Sequence, residues 1–289
     1  MQINNENFFS FKQERSLGAI ITDTFKFIRF EWKQLLSMLI SVTLIPILIT
    51  FALAIYNGMD SLETENLFSL NYLLFIYYFL FVAIYYSMSL IINSYVKVYV
   101  ENKGQVEKSE VYAYFKKHLL AYILMGVVSF LIWMVSIALC VLPGFYILTV
   151  LSVVGPVFVF QEKSVFDSIG YCFDFVKEKF WETLGTVLVV FLLIMVLGGV
   201  FSLTGIIYTM VKTATAITEN NLEQINSLFS DPVYIVLTLI STLGQHILYG
   251  VLILSFTLIY FDIDETRNDN INVVSVVMRL RTSPVMIRS

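Results

Sequence analysis

Charge is what this sequence has least of. Only 14% of its 289 residues are Asp, Glu, Lys or Arg, against about a quarter in a soluble domain, so there is too little polar surface to cover a water-soluble globule. Cysteine is nearly absent too. Cys140 lies in an apolar run and Cys172 in a charged segment, which excludes a disulfide framework and leaves no Cys/His spacing for a metal; both read as packing residues. The net charge of −4 lacks the basic face a nucleic-acid partner requires. Met1–Gln34 has no short apolar core followed by a cleavage site, so insertion through the chain's own helices is expected. Nor does any serine–histidine–carboxylate set, phosphate loop or zinc spacing appear, and no cofactor is implied.

What is abundant is apolar sequence: 58% of residues are hydrophobic and 16% aromatic. The runs are long enough to cross a hydrocarbon core of about 30 Å. They predict an all-α integral membrane protein with six spans, near 35–56, 70–95, 119–141, 144–160, 184–210 and 233–261. The sequence divides into a polar, mobile N-terminus (1–16), a membrane domain (17–262) and a polar tail (263–289).

Amphipathic segments precede the odd-numbered spans. Before the first, Leu17, Ile20, Ile21, Phe25, Ile28 and Trp32 recur with a 3.6-residue period, while Asp23, Lys26, Arg29 and Lys33 fall largely off the stripe. This pattern predicts an interfacial helix with Trp32 at headgroup level. Before the third, Ser109–Leu119 reads as a short helix, with His118 an interfacial anchor beside Lys116 and Lys117. Before the fifth, Ser164 is a helix cap with Asp167 three residues on, and Phe180 and Trp181 anchor the chain where it re-enters lipid. Phe25-Lys-Phe27-Ile28-Arg29 is echoed by Phe173-Asp-Phe175-Val176-Lys177, and more loosely by Val111-Tyr-Ala-Tyr-Phe115-Lys116. The expected unit is a surface helix followed by an out-and-back hairpin, used three times. Pro143-Gly144 should turn the second hairpin. Pro46 and Gly155-Pro156 should bend spans one and four.

Charge placement orients the chain. The segments before the first span, between spans two and three, between four and five, and after the sixth hold 17 of the 18 Lys and Arg; Lys212 alone lies outside them. The opposite loops carry Asp60, Glu63, Glu65, Glu219, Glu223 and Asp231. The positive-inside rule puts both termini in the cytoplasm.

Polar groups within the spans are few. Tyr78, Tyr85, Ser89 and Asn93 share one face of the second span at spacings of seven, four and four. Gln245 and His246 fall near the middle of the sixth, and Gly198-Gly199 and Gly205 in the fifth allow close helix approach or an unwound turn. Two readings are open: hydroxyls and amides bonding neighbouring helices, or a candidate intramembrane site for a ligand.

LGAIITDTFKFIRFEWKQLL, the central LPGFYILTVLSVVGPVFVFQEKSVFDSIGYCFDFVKEKFWETLG and the closing LILSFTLIYFDIDE resemble six-span bacterial integral membrane proteins of uncharacterised function. These are related to the membrane domain attached to some glycerophosphoryl diester phosphodiesterases. The matching positions are Pro143-Gly144, Pro156, Glu162, Ser164 to Phe175, Phe180-Trp181 and Tyr260-Phe261-Asp262. The resemblance implies a bacterial inner-membrane location. The phosphodiesterase barrel has no counterpart here, since no soluble segment is long enough to form one, so its activity does not carry over. The expected function is a non-catalytic scaffold or accessory subunit. Its partners are the lipid bilayer and other membrane subunits, reached through the cytoplasmic helices or the apolar run INVVSVVMRL at 271–280. The alternative is a transporter or lipid-handling protein using the mid-membrane polar groups.

Overall fold

The computed structural model describes residues 8–60, 67–219 and 231–282. Glu63, Glu65, Glu223 and the chain's first and last seven residues lie outside the described residues, and so do the side chains of the 271–280 run. Every element among the described residues is helical: α1 Leu17–Asp60, α2 Leu67–Glu101, α3 Lys108–Leu139, α4 Val141–Ser152, α5 Val154–Gln161, α6 Val165–Val176, α7 Phe180–Thr218 and α8 Pro232–Thr282. Six helical segments are long and apolar enough to cross a membrane; α4 with α5 makes one of them, and α6 with α7 another. The chain fits a multi-pass membrane protein.

Packing is uneven along the bundle. Met88–Tyr99 of α2, Ser152–Val159 around the start of α5 and Val251–Ile263 of α8 are buried on every side, and these three stretches pack on one another. Their burial on every face, polar residues included, makes these stretches the centre of the bundle. Around this closed end α1 packs on α2 and α8, α3 on α2 and α6, and α6 on α5. Toward the other end more apolar side chains face outward, while α7 and α8 stay packed on each other. Ile45, Phe75, Val135, Met195, Ile207 and Val236 are all exposed there, as side chains facing lipid would be.

The helices are longer than the spans. At 1.5 Å per residue, α1 with its 44 residues is about 66 Å long and α8 with 51 about 77 Å, so much of each lies outside a ~30 Å hydrocarbon layer. No break separates the expected surface helix of α1 from its span. Pro46 sits inside the helix, and the Thr50 hydroxyl donates to its carbonyl at 2.9 Å. The Ser109–Leu119 segment is likewise the first third of α3, continuous with the span itself. Only the third such helix, α6, is separate; a 3-10 turn at Lys177–Lys179 divides it from α7. Ser164 caps α6 by accepting the Asp167 N–H. The tail continues α8 as helix to Thr282.

Two turns fall away from where glycine and proline suggest. The chain reverses at Cys140, which is extended (φ −170°, ψ 148°), not at Pro143-Gly144. Pro143 instead occupies the first turn of α4, where a missing N–H removes no helical bond. Gly144 lets α4 close on α3: a β-carbon there would lie 3.1 Å from Ile137. The bend of the fourth span comes at Val153 (φ −97°, ψ 3°), which places Pro156 in the first turn of α5.

Residues 8–16, whose polarity predicts a mobile segment, are packed against the bundle. Phe11 is buried among Phe9, Phe27, Tyr99 and Phe261, and the Phe9 N–H donates to Tyr99 Oη at 3.0 Å. Aromatic burial of this size outweighs the entropy of a short tail.

Candidate functional site

The stripe of α2 divides into two environments. Ser89 and Asn93 are buried at the closed end. Ser89 Oγ lies 2.8 Å from Tyr122 Oη of α3, and Asn93 Nδ2 donates to the Ser89 carbonyl at 2.8 Å. On its other side Asn93 Oδ1 accepts the Thr257 hydroxyl of α8 at 3.0 Å. One asparagine therefore joins three helices. Gly155 makes room for the group, since a β-carbon at that position would be 2.3 Å from Tyr122 Oη. The cavity beside these residues, lined by Tyr85, Ser89 and Gly155, holds only about 40 Å³, space for a water and not for a solute.

Tyr85 and Tyr78 face other neighbours. Tyr85 packs edge-on to Tyr249 of α8 at 6.2 Å, and Tyr249 meets His246 at 5.8 Å. Tyr78 leans on Phe130, 4.4 Å between ring centroids. His246 Nδ1 donates to the Thr242 carbonyl at 2.7 Å; a carbonyl only accepts, which assigns the proton to Nδ1.

Gln245 points into a different space. Its Nε2 donates to Ser202 of α7 at 2.9 Å, and Ser202 lies 3.3 Å from Ser241. These side chains line a groove of about 810 Å³ between α7 and α8, walled by Thr209, Thr213 and Thr238 as well as apolar groups. A second groove, of about 780 Å³, runs past Gly198 and Gly199 and shares Ser202 and Gln245. Thus the structure brings Gln245 to α7, both His246 and Tyr85 to Tyr249, and Ser89 to Asn93, and these cavities among the described residues divide the candidates and do not gather them. At the groove's far end Asp231 accepts from Tyr208 Oη at 2.6 Å and pairs with Lys212 at 3.2 Å. The tyrosine bond, the Val233 N–H and Lys212 together pull the Asp231 carboxyl down to about 2.

The closed end holds ionic groups that the spacing pattern does not single out. Arg15 donates through Nε to Asp23 at 3.0 Å and through Nη1 and Nη2 to the carbonyls of Phe11, Gln13 and Ser10. Burial lowers its pKa, opposed by Asp23 and Asp262. Asp262 accepts the Arg15 N–H at 2.7 Å and pairs with Lys179 at 3.1 Å. Lys97, buried on α2, reaches the Val159 carbonyl at 3.3 Å, pairs with Glu162 and lies 4.8 Å over the Tyr114 ring. It thereby satisfies the end of α5, and its hydrogen bond and charge depress the Glu162 carboxyl. His118 stacks on Tyr114 at 4.4 Å and edges Phe158, so its ring is packed between helices. Of the expected anchors, Trp32 and Trp181 are exposed, Trp181 at 80%, while Phe180 is half-buried against Tyr146.

Tyr122, Thr257, Lys97 and Arg15 carry much of this bonding and belong to no sequence pattern; each is a single polar residue whose neighbours in the chain give no spacing to notice. Among the described residues no group of His, Cys, Asp and Glu could hold a metal. Comparison with family models, curated proteins and solved structures finds no match to this chain.

Proposed function

We propose that the chain is a non-catalytic polytopic protein of the bacterial inner membrane, a scaffold or accessory subunit of a membrane complex. In this reading it is built from three hairpins, each launched from a cytoplasmic surface helix, with both termini in the cytoplasm. The relation to the membrane domain of glycerophosphoryl diester phosphodiesterases belongs to the same proposal.

The observation that carries it is the use made of Asn93. The most polar side chain in the middle of the buried core is consumed in bonds among α2, α3 and α8, beside a space of about 40 Å³. Polar groups spent on holding helices together support a rigid framework. The cations gathered at the closed end support the orientation, and so do the exposed Trp32 and Trp181. Beyond the closed end α8 runs on to Thr282, long enough to meet a partner in the cytosol.

The native cysteines test the topology. Cys140 is exposed and Cys172 buried. A membrane-impermeant maleimide should label Cys140 from the periplasmic side only; labelling from the cytoplasmic side alone would invert the proposed orientation. Deleting Asn270–Ser289 should remove co-purifying subunits while the spans stay folded. An unchanged set of partners would count against the scaffold role of the α8 extension.

A lipid-handling role is the second reading. The groove between α7 and α8, open at its side and lined by Ser202, Ser241 and Gln245, favours it. Gln245→Leu should then lower lipid transfer in a variant that still folds, beyond the small stability loss from its bond to Ser202.

A further inference from the structure

Resting on the reading that the start of α1 lies at the membrane surface, a second feature emerges at the closed end. Residues 8–13 and the first turns of α1 enclose a cleft of about 530 Å³ lined by Phe8, Gln13, Asp23, Lys26, Arg29 and Phe30. Lys26 and Arg29 are three apart and so share a helix face. Both are exposed, and among the described residues neither has an ion pair or a side-chain hydrogen bond. The acid in the cleft, Asp23, is already held by Arg15 at 3.0 Å and Gln13 at 3.4 Å. What it offers a ligand is therefore net positive. The rim is apolar: Phe8 and Phe30 are exposed beside the cations, and Trp32 lies just beyond Phe30 in the chain, with Lys33 5.9 Å from its ring.

We propose that this cleft binds the headgroup of an anionic phospholipid of the inner leaflet. Arg29 presents a planar fork to the phosphate oxygens and Lys26 a point charge, while Phe8 and Phe30 pack on the glycerol and the first acyl carbons. Free phosphate would match the cations but leave the aromatic rim uncovered, so the lipid is the better fit. Residues 8–13 form one wall, and they are anchored by Arg15 to Asp262. Lipid binding here holds the N-terminal segment against the bundle.

The test uses the full chain in phosphatidylcholine nanodiscs with and without phosphatidylglycerol, counting lipids retained after transfer to detergent by native mass spectrometry. Lys26→Gln/Arg29→Gln should weaken phosphatidylglycerol retention by roughly tenfold or more, from the loss of two charges near an anionic lipid. Lys26→Arg/Arg29→Lys should keep it, as should Lys116→Gln/Lys117→Gln, which removes two exposed cations elsewhere. Unchanged retention in the first variant overturns the site. Equal loss in the Lys116/Lys117 variant shows diffuse attraction and overturns it too. If glycerol 1-phosphate alone raises the melting temperature as much as phosphatidylglycerol does, the ligand is a free phosphate and not a lipid. A chain whose only tryptophan is Trp32 (Trp133→Phe, Trp181→Phe) separates the two layers of inference. Quenching by brominated lipids with no phosphatidylglycerol retention refutes the cleft alone; no quenching refutes the surface placement of α1.

Discussion

Asp262 accepts the backbone N–H of Arg15 at 2.7 Å, joining positions 247 residues apart. The same carboxylate pairs with Lys179, so it ties the N-terminal segment, the start of α7 and the central helix α8. Breaking a buried pair leaves the remaining partners unsatisfied. Asp262→Ala should destabilise the protein by about 3 kcal/mol. Asp262→Asn should cost less, because the amide oxygen still accepts the N–H. Thermal unfolding in detergent measures both, and protease cleavage near residues 8–16 should rise in parallel.

Gly155 is set by contact and not by backbone conformation. Gly155→Ala drives a methyl against Tyr122 Oη, 2.3 Å away, and overpacking of this kind costs about 1–3 kcal/mol. Removing the hydroxyl relieves it. In a double-mutant cycle with Tyr122→Phe the combined loss should be smaller than the sum of the single losses; strict additivity would show that the clash is absorbed elsewhere.

Asn93 and His246 should respond differently to leucine. Asn93→Leu removes bonds reaching α3 and α8 and should cost about 1–2 kcal/mol, as interhelical hydrogen bonds in membranes do. Among the described residues the hydrogen bond of His246 goes to Thr242 in its own helix. His246→Leu should therefore leave the melting temperature nearly unchanged. A loss of any measured flux or lipid transfer in that folded variant would mark the histidine as functional.

Acid should loosen the far end of the α7–α8 groove first. Asp231 is lowered from 3.8 to about 2, so its carboxylate adds stability that is complete above its ordinary pKa and is lost as pH falls through its folded value. Between about pH 4 and pH 2 the native protein should lose stability that Asp231→Asn lacks at every pH. Acid unfolding curves of the two should converge at the low end.

The helical runs and the capped start of α6 were legible in the sequence, because each follows from local chemistry. The limits of that legibility show at particular residues. Pro143-Gly144 marks a turn by composition, yet the turn belongs to Cys140, since proline is tolerated one turn into a helix. Phe8, Phe9 and Phe11 lie in a polar segment, and nothing local foretells that Phe27, Tyr99 and Phe261 receive them. The α2 stripe has correct helical spacing, but its four members meet Phe130, Tyr249, Tyr122 and Thr257, split between α3 and α8.

Hydrophobicity and charge along the chain were enough to require six apolar helices, because a backbone in lipid must satisfy its own hydrogen bonds and cations resist translocation. Partnership across the bundle was decided only in three dimensions. Which side of Asn93 meets Thr257, where Asp262 finds Arg15, and which cations are left to face the cleft all depend on helix rotation and tilt, and a periodic apolar pattern leaves those free until side chains interlock.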